Sequence, residues 1–76
     1  MKIAATLDTK GLLCPLPVLK AAKRLREMQA GDVLELVTDD PAAIVDVPHF
    51  CSEQGHDLVD QSDMAGGGQR YLIRRA

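Results

Sequence analysis

The apolar residues of this chain change period once before residue 30, and that change limits the fold more than any other feature. From Lys2 to Asp8 they alternate. Ile3, Ala5 and Leu7 fall on one side and Lys2, Ala4, Thr6 and Asp8 on the other, the pattern of a strand with one buried face. From Pro15 to about Gln29, Val18, Leu19, Ala22, Leu25 and Met28 recur at three- and four-residue intervals opposite Lys20, Lys23, Arg24 and Glu27, which predicts an amphipathic helix. Gly31 is placed to end that helix in a left-handed conformation. Asp32 to Thr38 then loads both sides with Val33, Leu34, Leu36 and Val37, so it reads as a strand in the centre of a sheet. A strand, a helix and a second strand in close succession form a right-handed crossover with parallel strands.

The rest of the chain extends this unit. Asp39-Asp40-Pro41 is a helix-entry signal, carboxylates for free amide hydrogens followed by a proline suited to a first helical position. Pro48 lacks an amide hydrogen and crowds the preceding turn, so the expectation is a short turn over Pro41 to Val45 and a fresh helix of about Val47 to Gln54 capped by Asp46. Val47, Phe50 and Cys51 share one face of it and Gly55 closes it. A third strand runs from His56 to about Ser62 and a fourth from Gln69 to Arg75, joined through the flexible hairpin Gly66-Gly67-Gly68. The order βαβαββ predicts an α/β (α+β) two-layer sandwich, a mixed four-stranded sheet with two helices on one face, its first strand pair parallel and its last antiparallel. At 76 residues the chain has room for one domain, residues 1–76, and its 46% apolar content is enough for a core. A domain this small leaves little space for a deep cavity, so any chemistry is expected at the surface. No apolar run approaches the ~20 residues that span a bilayer, and the first eight residues lack the unbroken apolar stretch of a secretory signal. A cytoplasmic setting is expected.

The net charge of -2 conceals a division. Lys10, Lys20, Lys23, Arg24 and Arg26 stand in a stretch without acids. From Glu27 to Gln69 there are ten acids and no Lys or Arg, and Arg70, Arg74 and Arg75 follow. A fold that gathers the early and final cations makes a basic face that steers acidic partners. An RNA-binding or regulatory module on the basic helix is one such reading. Phe50 and Tyr71 are the only aromatics, so no stacking platform is visible and direct nucleic-acid binding is not expected.

Cys14 and Cys51 are too few for a disulfide scaffold and do not form a Cys-x-x-Cys pair. His49-x-Cys51 is the one hint of metal-ligand spacing; with two histidines in the chain no metal site is expected. Cys51, beside Phe50 on an apolar helix face, reads as core. Cys14 lies in Gly11-Leu12-Leu13-Cys14-Pro15-Leu16-Pro17, at the start of the basic helix. With Pro15 as first helical residue, Cys14 takes the cap position, where the positive helix end favours a thiolate. The two prolines stiffen the turn and leave Leu16 and Val18 as the chief amide donors, so Lys10, Lys20 or Arg24 must supply the remaining field. A thiol redox protein would need Cys51 close enough to resolve Cys14, which is not expected. What remains is a thiol that carries something.

Leu7-Asp8-x-x-Gly11-Leu12-x-Cys14-Pro15-x-Pro17 resembles the signature of the TusA/SirA-like sulfur-carrier (sulfurtransferase) family, and the Cys-Pro-x-Pro element is its distinctive part. Met28-Gln29-x-Gly31, Asp39-Asp40-Pro41-Ala42, Asp46-x-Pro48-x-Phe50-Cys51, His56-x-Leu58 and Arg70-Tyr71-Leu72-Ile73-Arg74 look like the family's pattern in order and spacing. The resemblance implies that Cys14 accepts sulfane sulfur as a persulfide from a cysteine desulfurase or rhodanese and relays it to an acceptor protein's cysteine, without a cofactor. It implies an acceptor such as a DsrE-like or Tus-type complex, in tRNA thiolation, molybdenum cofactor assembly or sulfur oxidation. A carrier of this kind is a transferase and its substrate together. Gly11, Pro15 and Pro17 position the sulfur, and Lys10, Lys20, Lys23 and Arg24 are assigned to docking and to stabilising the anion. Apolar Leu16 stands where some relatives carry an acid, which suits a different partner.

Overall fold

The computed structural model describes residues 2–76. Its elements are β1 (Ala5–Asp8), α1 (Leu16–Arg26), β2 (Val33–Thr38), α2 (Ala43–Gln54), β3 (Asp57–Asp63) and β4 (Gln69–Arg74). The sheet order is β1-β2-β4-β3, with β1 parallel to β2 and the other pairs antiparallel. The expected α+β sandwich with a mixed sheet is the architecture found.

Period two on the strands and period 3.6 on the helices meet in one core. Leu34 and Leu36 of β2 and Tyr71 and Ile73 of β4 point to the helix side, against Ala21 and Leu25 of α1 and Ala43, Val47, Phe50 and Cys51 of α2. Both helices therefore cover the same sheet face. The other face of β2 holds Val33, Glu35 and Val37. There Glu35 accepts the Thr6 hydroxyl at 2.9 Å and pairs with Arg70. Those two donors hold the Glu35 carboxyl below its usual range, Arg70 first. β3 is an edge strand, mostly exposed, with Asp57, Asp60 and Asp63 along it and a bulge between Leu58 and Asp60. Charges and a bulge both discourage further strand pairing.

The end of α1 and the start of α2 differ from expectation. α1 stops at Arg26, because the amides of Glu27 and Met28 bond the carbonyls three residues back and tighten the last turn. Gly31 is left-handed, at φ +89°, but lies beyond that end and donates its amide to the Arg75 carbonyl at 2.9 Å. α2 is continuous from Ala43 through Pro48, without a break at Asp46. Its first turn is closed by amides of Ala43, Ile44 and Val45 bonding three residues back. A proline so near the start removes only the bond to the Ile44 carbonyl, and buried Ala43 and Val47 seat the first turns on the core. Gly55, at φ +75°, closes α2 as expected, with the His56 amide bonding the Cys51 carbonyl at 2.9 Å.

Candidate functional site

Parallel pairing sets Asp8 beside Val37, so the chain leaves β1 and β2 at the same end of the sheet. The loop carrying Cys14 and the turn carrying Asp39-Asp40-Pro41 are therefore neighbours, as loops at the carboxyl ends of parallel strands are. Hydrogen bonds join them. Thr9 is buried and bonds the Val37 carbonyl through both its amide and its hydroxyl, each at 2.7 Å. Gly11, at φ +87°, donates its amide to Asp39 Oδ1 at 2.9 Å. The Cys14 amide donates to Asp40 Oδ2 at 2.6 Å, while Asp40 Oδ1 accepts the Ala42 amide at 3.1 Å. One carboxylate thus ties the cysteine turn to the entry of α2. Those roles of Asp39 and Asp40 are absent from the sequence reading, which gives the pair only a local capping task.

Cys14 is exposed and Cys51 is buried. The sulfur-bearing turn sits one step outside the helix: Pro15, not Cys14, occupies the cap position of α1, and Leu16 donates its amide to the Leu13 carbonyl at 2.9 Å. Leu16, expected to serve the sulfur, is therefore engaged elsewhere. Cys14 opens onto two adjoining hollows. One is lined by Cys14, Pro15, Pro17, Val18, Asp40, Ala43 and Asp46. The other, of about 220 Å³, adds His49, Phe50 and Glu53 to Cys14, Pro15, Val18 and Asp46. Asp46 is thus not the helix cap expected from sequence but a wall of the cysteine cleft. His49 pairs with Glu53 at 3.2 Å along the exposed side of α2.

The electrostatics reverse the expected direction. The Cys14 thiol is pushed above its ordinary value, first by the neighbouring Asp46 carboxylate, then by desolvation and by the charges of Asp46 and Asp40. Lys20, Lys23 and Arg24 line a separate hollow of about 180 Å³ with Leu7 and Glu27. Lys10 is exposed, its amide bonded to Asp8 Oδ1. None of the four lines either hollow at the sulfur. Gly11, Pro15 and Pro17 do accompany Cys14, the prolines as cleft walls and the glycine through Asp39. Burial pushes the Cys51 thiol up to about 11, as suits a core residue. Among the described residues no three His, Cys, Asp or Glu side chains cluster as a metal site, and no helix is long and apolar enough to cross a membrane.

Most of the exposed large apolar side chains lie within two residues in sequence of a cleft-lining residue. Leu13 is 70% exposed and Val45 71%, with Leu16 and Ile44 also open to solvent. They belong to the turn before α1, its first turn, and the first turn of α2. Exposed apolar side chains on the elements that carry the cleft fit contact with another protein.

Comparison with known proteins bears on the fold and the family. A crystal structure of a SirA-like protein from Desulfitobacterium hafniense superposes with a TM-score of 0.83 at 25% sequence identity, covering 92% of this chain and 95% of that one. The family model described as sulfurtransferase TusA matches residues 5–75. With nearly its whole length matched, the chain belongs to the TusA sulfurtransferase family.

Proposed function

We propose that the protein is a sulfur carrier that holds sulfane sulfur as a persulfide on Cys14 and relays it between two partner proteins. The observation that carries this reading is the contrast between its two thiols. Cys14 is exposed on a turn fixed through its own amide, near exposed Leu13 and Leu16, whereas Cys51 is packed in the core. A thiol offered on a rigid turn loses little freedom when it enters another active site. Family membership supports sulfur transfer as the chemistry.

In loading, the Cys14 thiolate attacks the outer sulfur of a donor persulfide. A sulfur–sulfur bond forms at Cys14, the donor's own sulfur–sulfur bond breaks, and the donor departs as a thiolate. In unloading, an acceptor thiolate attacks the terminal sulfur on Cys14 in the same way. Each step is thiol exchange and needs no external oxidant. The donor class is a cysteine desulfurase or rhodanese and the acceptor a DsrE-like or Tus-type protein, in tRNA thiolation, molybdenum cofactor assembly or sulfur oxidation. A cytoplasmic setting, where free thiols persist, suits this role. Lys10, Lys20, Lys23 and Arg24 remain docking residues in this proposal, acting at longer range than the sulfur and not on its charge.

Intact-mass measurement after incubation with thiosulfate and a rhodanese tests the proposal. The chain should gain the mass of one sulfur atom. Cys14→Ser should gain none and Cys51→Ser should load as the parent does; loading of Cys14→Ser would overturn the assignment. Lys20→Glu with Arg24→Glu should slow loading at low salt and converge with the parent at high salt.

A further inference from the structure

The attacking species in sulfur exchange is the thiolate, so the groups facing the sulfhydryl set how readily it reacts. Those facing Cys14 come from few places. The turn after β2 contributes Asp40, and α2 contributes Asp46, His49 and Glu53. The start of α1 contributes Pro15, Pro17 and Val18, which carry no charge. No Lys or Arg among the described residues lines the cleft, and His49 is occupied with Glu53. Asp40 has both oxygens taken by the amides of Cys14 and Ala42. Asp46 is then the carboxylate that shares the cleft with the sulfur and has no hydrogen-bond donor among the described residues, and no cation among them lies within ion-pair distance of it.

We propose that Asp46 is a positioning residue for Cys14: its unanswered negative charge in the same cleft favours the neutral sulfhydryl in the free protein, and a cationic group from the docked partner releases it for attack. This inference rests on the persulfide role of Cys14. A carrier so built reacts slowly with free small thiols and persulfides and quickly inside a partner's site. When the partner's cation pairs with Asp46, the carboxylate no longer favours the neutral thiol, and the sulfur's proton leaves to solvent. The thiolate then attacks the outer sulfur of the donor persulfide, the donor's sulfur–sulfur bond breaks, and the departing donor thiolate takes up a proton. The partner surface this selects carries a Lys, an Arg or a helix N-terminus beside its reactive sulfur, within an apolar frame that meets Leu13, Leu16, Ile44 and Val45. The direction in which Asp46 and Asp40 move the Cys14 thiol accords with this arrangement.

The test uses the full chain in a Cys51→Ser background, so that one thiol reports. Alkylation by iodoacetamide is followed between about pH 6 and about pH 10, the range that brackets ordinary thiols. Asp46→Asn should lower the midpoint and raise the rate at neutral pH about three- to tenfold, the change that one removed neighbouring charge brings, and Asp46→Glu should restore the parent profile. An unmoved or raised midpoint in Asp46→Asn overturns the role of Asp46. Loading from glutathione persulfide should accelerate in Asp46→Asn by the same factor, while loading from a rhodanese should not. Equal acceleration from both donors overturns release by the partner. Alkylation reads the thiol whether or not sulfur is carried, so a shifted profile without any loading overturns the carrier role and leaves the hold of Asp46 standing.

Discussion

Asp40 is 8% exposed, and a carboxylate withdrawn from water is costly unless donors meet it. It meets two, the amides of Cys14 and Ala42, from two different loops. Asp40→Ala strands both amides, so it should cost about 1–3 kcal/mol in urea unfolding and should also slow persulfide loading by loosening the sulfur-bearing turn. Asp39→Ala removes one exposed bond to Gly11 and should cost less than half as much. Equal losses for the two variants would show that Asp40 is not the brace. The letters Asp-Asp-Pro were legible as a helix entry, because capping is decided within four residues. Their grip on Gly11 and Cys14, 28 and 26 residues away, was not, because it depends on β1 and β2 ending together. The likeness of Cys14 to a cap was misleading for a similar reason: the Leu16 amide turns back to Leu13, a choice local letters do not reveal.

Among the elements, the β3–β4 connection carries more than its flexible composition suggests. Gly66, Gly67 and Gly68 all have positive φ, but only at Gly68 is the space beside the backbone occupied. A Cβ there would lie 2.9 Å from the Thr38 carbonyl oxygen, at the end of β2 and two residues before Asp40. Gly68→Ala therefore combines left-handed strain with a backbone clash and should cost about 2–4 kcal/mol, against about 1–2 kcal/mol for Gly66→Ala. Urea midpoints at unchanged slope measure the difference. The strands and helices themselves were legible because each periodicity matches one face of one core. α2 was the exception. The rule that proline interrupts a helix is local, and the burial of Ala43 and Val47, which holds the helix together across Pro48, is set by the sheet beneath it.

At the scale of the whole molecule, the charge division visible in sequence is real but does not produce the single basic face it suggests. Arg70 pairs with Glu35, Arg74 with Asp57 at 3.5 Å, and Arg75 Nε donates to the Leu25 carbonyl at 2.6 Å, near the negative end of α1. The final cations hold the sheet to itself and to α1, which leaves Lys2, Lys10 and the α1 cations without an ion pair among the described residues. Two titratable groups also make long-range attachments. His56 Nδ1 accepts the Ala76 amide at 2.9 Å, and the imidazole packs against Phe50 with ring centroids 5.7 Å apart. Burial, then the charge of Arg75, pushes His56 below its ordinary 6.5. Its neutral form is therefore favoured by folding, and the stability it lends is complete above pH 6.5 and declines as pH falls through the lower folded value. Glu35 is also lowered, from 4.5, so its contribution is complete above that pH and declines in a second, more acidic window. Thermal midpoints measured downward from neutral pH should fall in two stages. His56→Gln should flatten the first and leave the second, Glu35→Gln should do the reverse, and a first stage that survives in His56→Gln would place the acid sensitivity elsewhere in the fold.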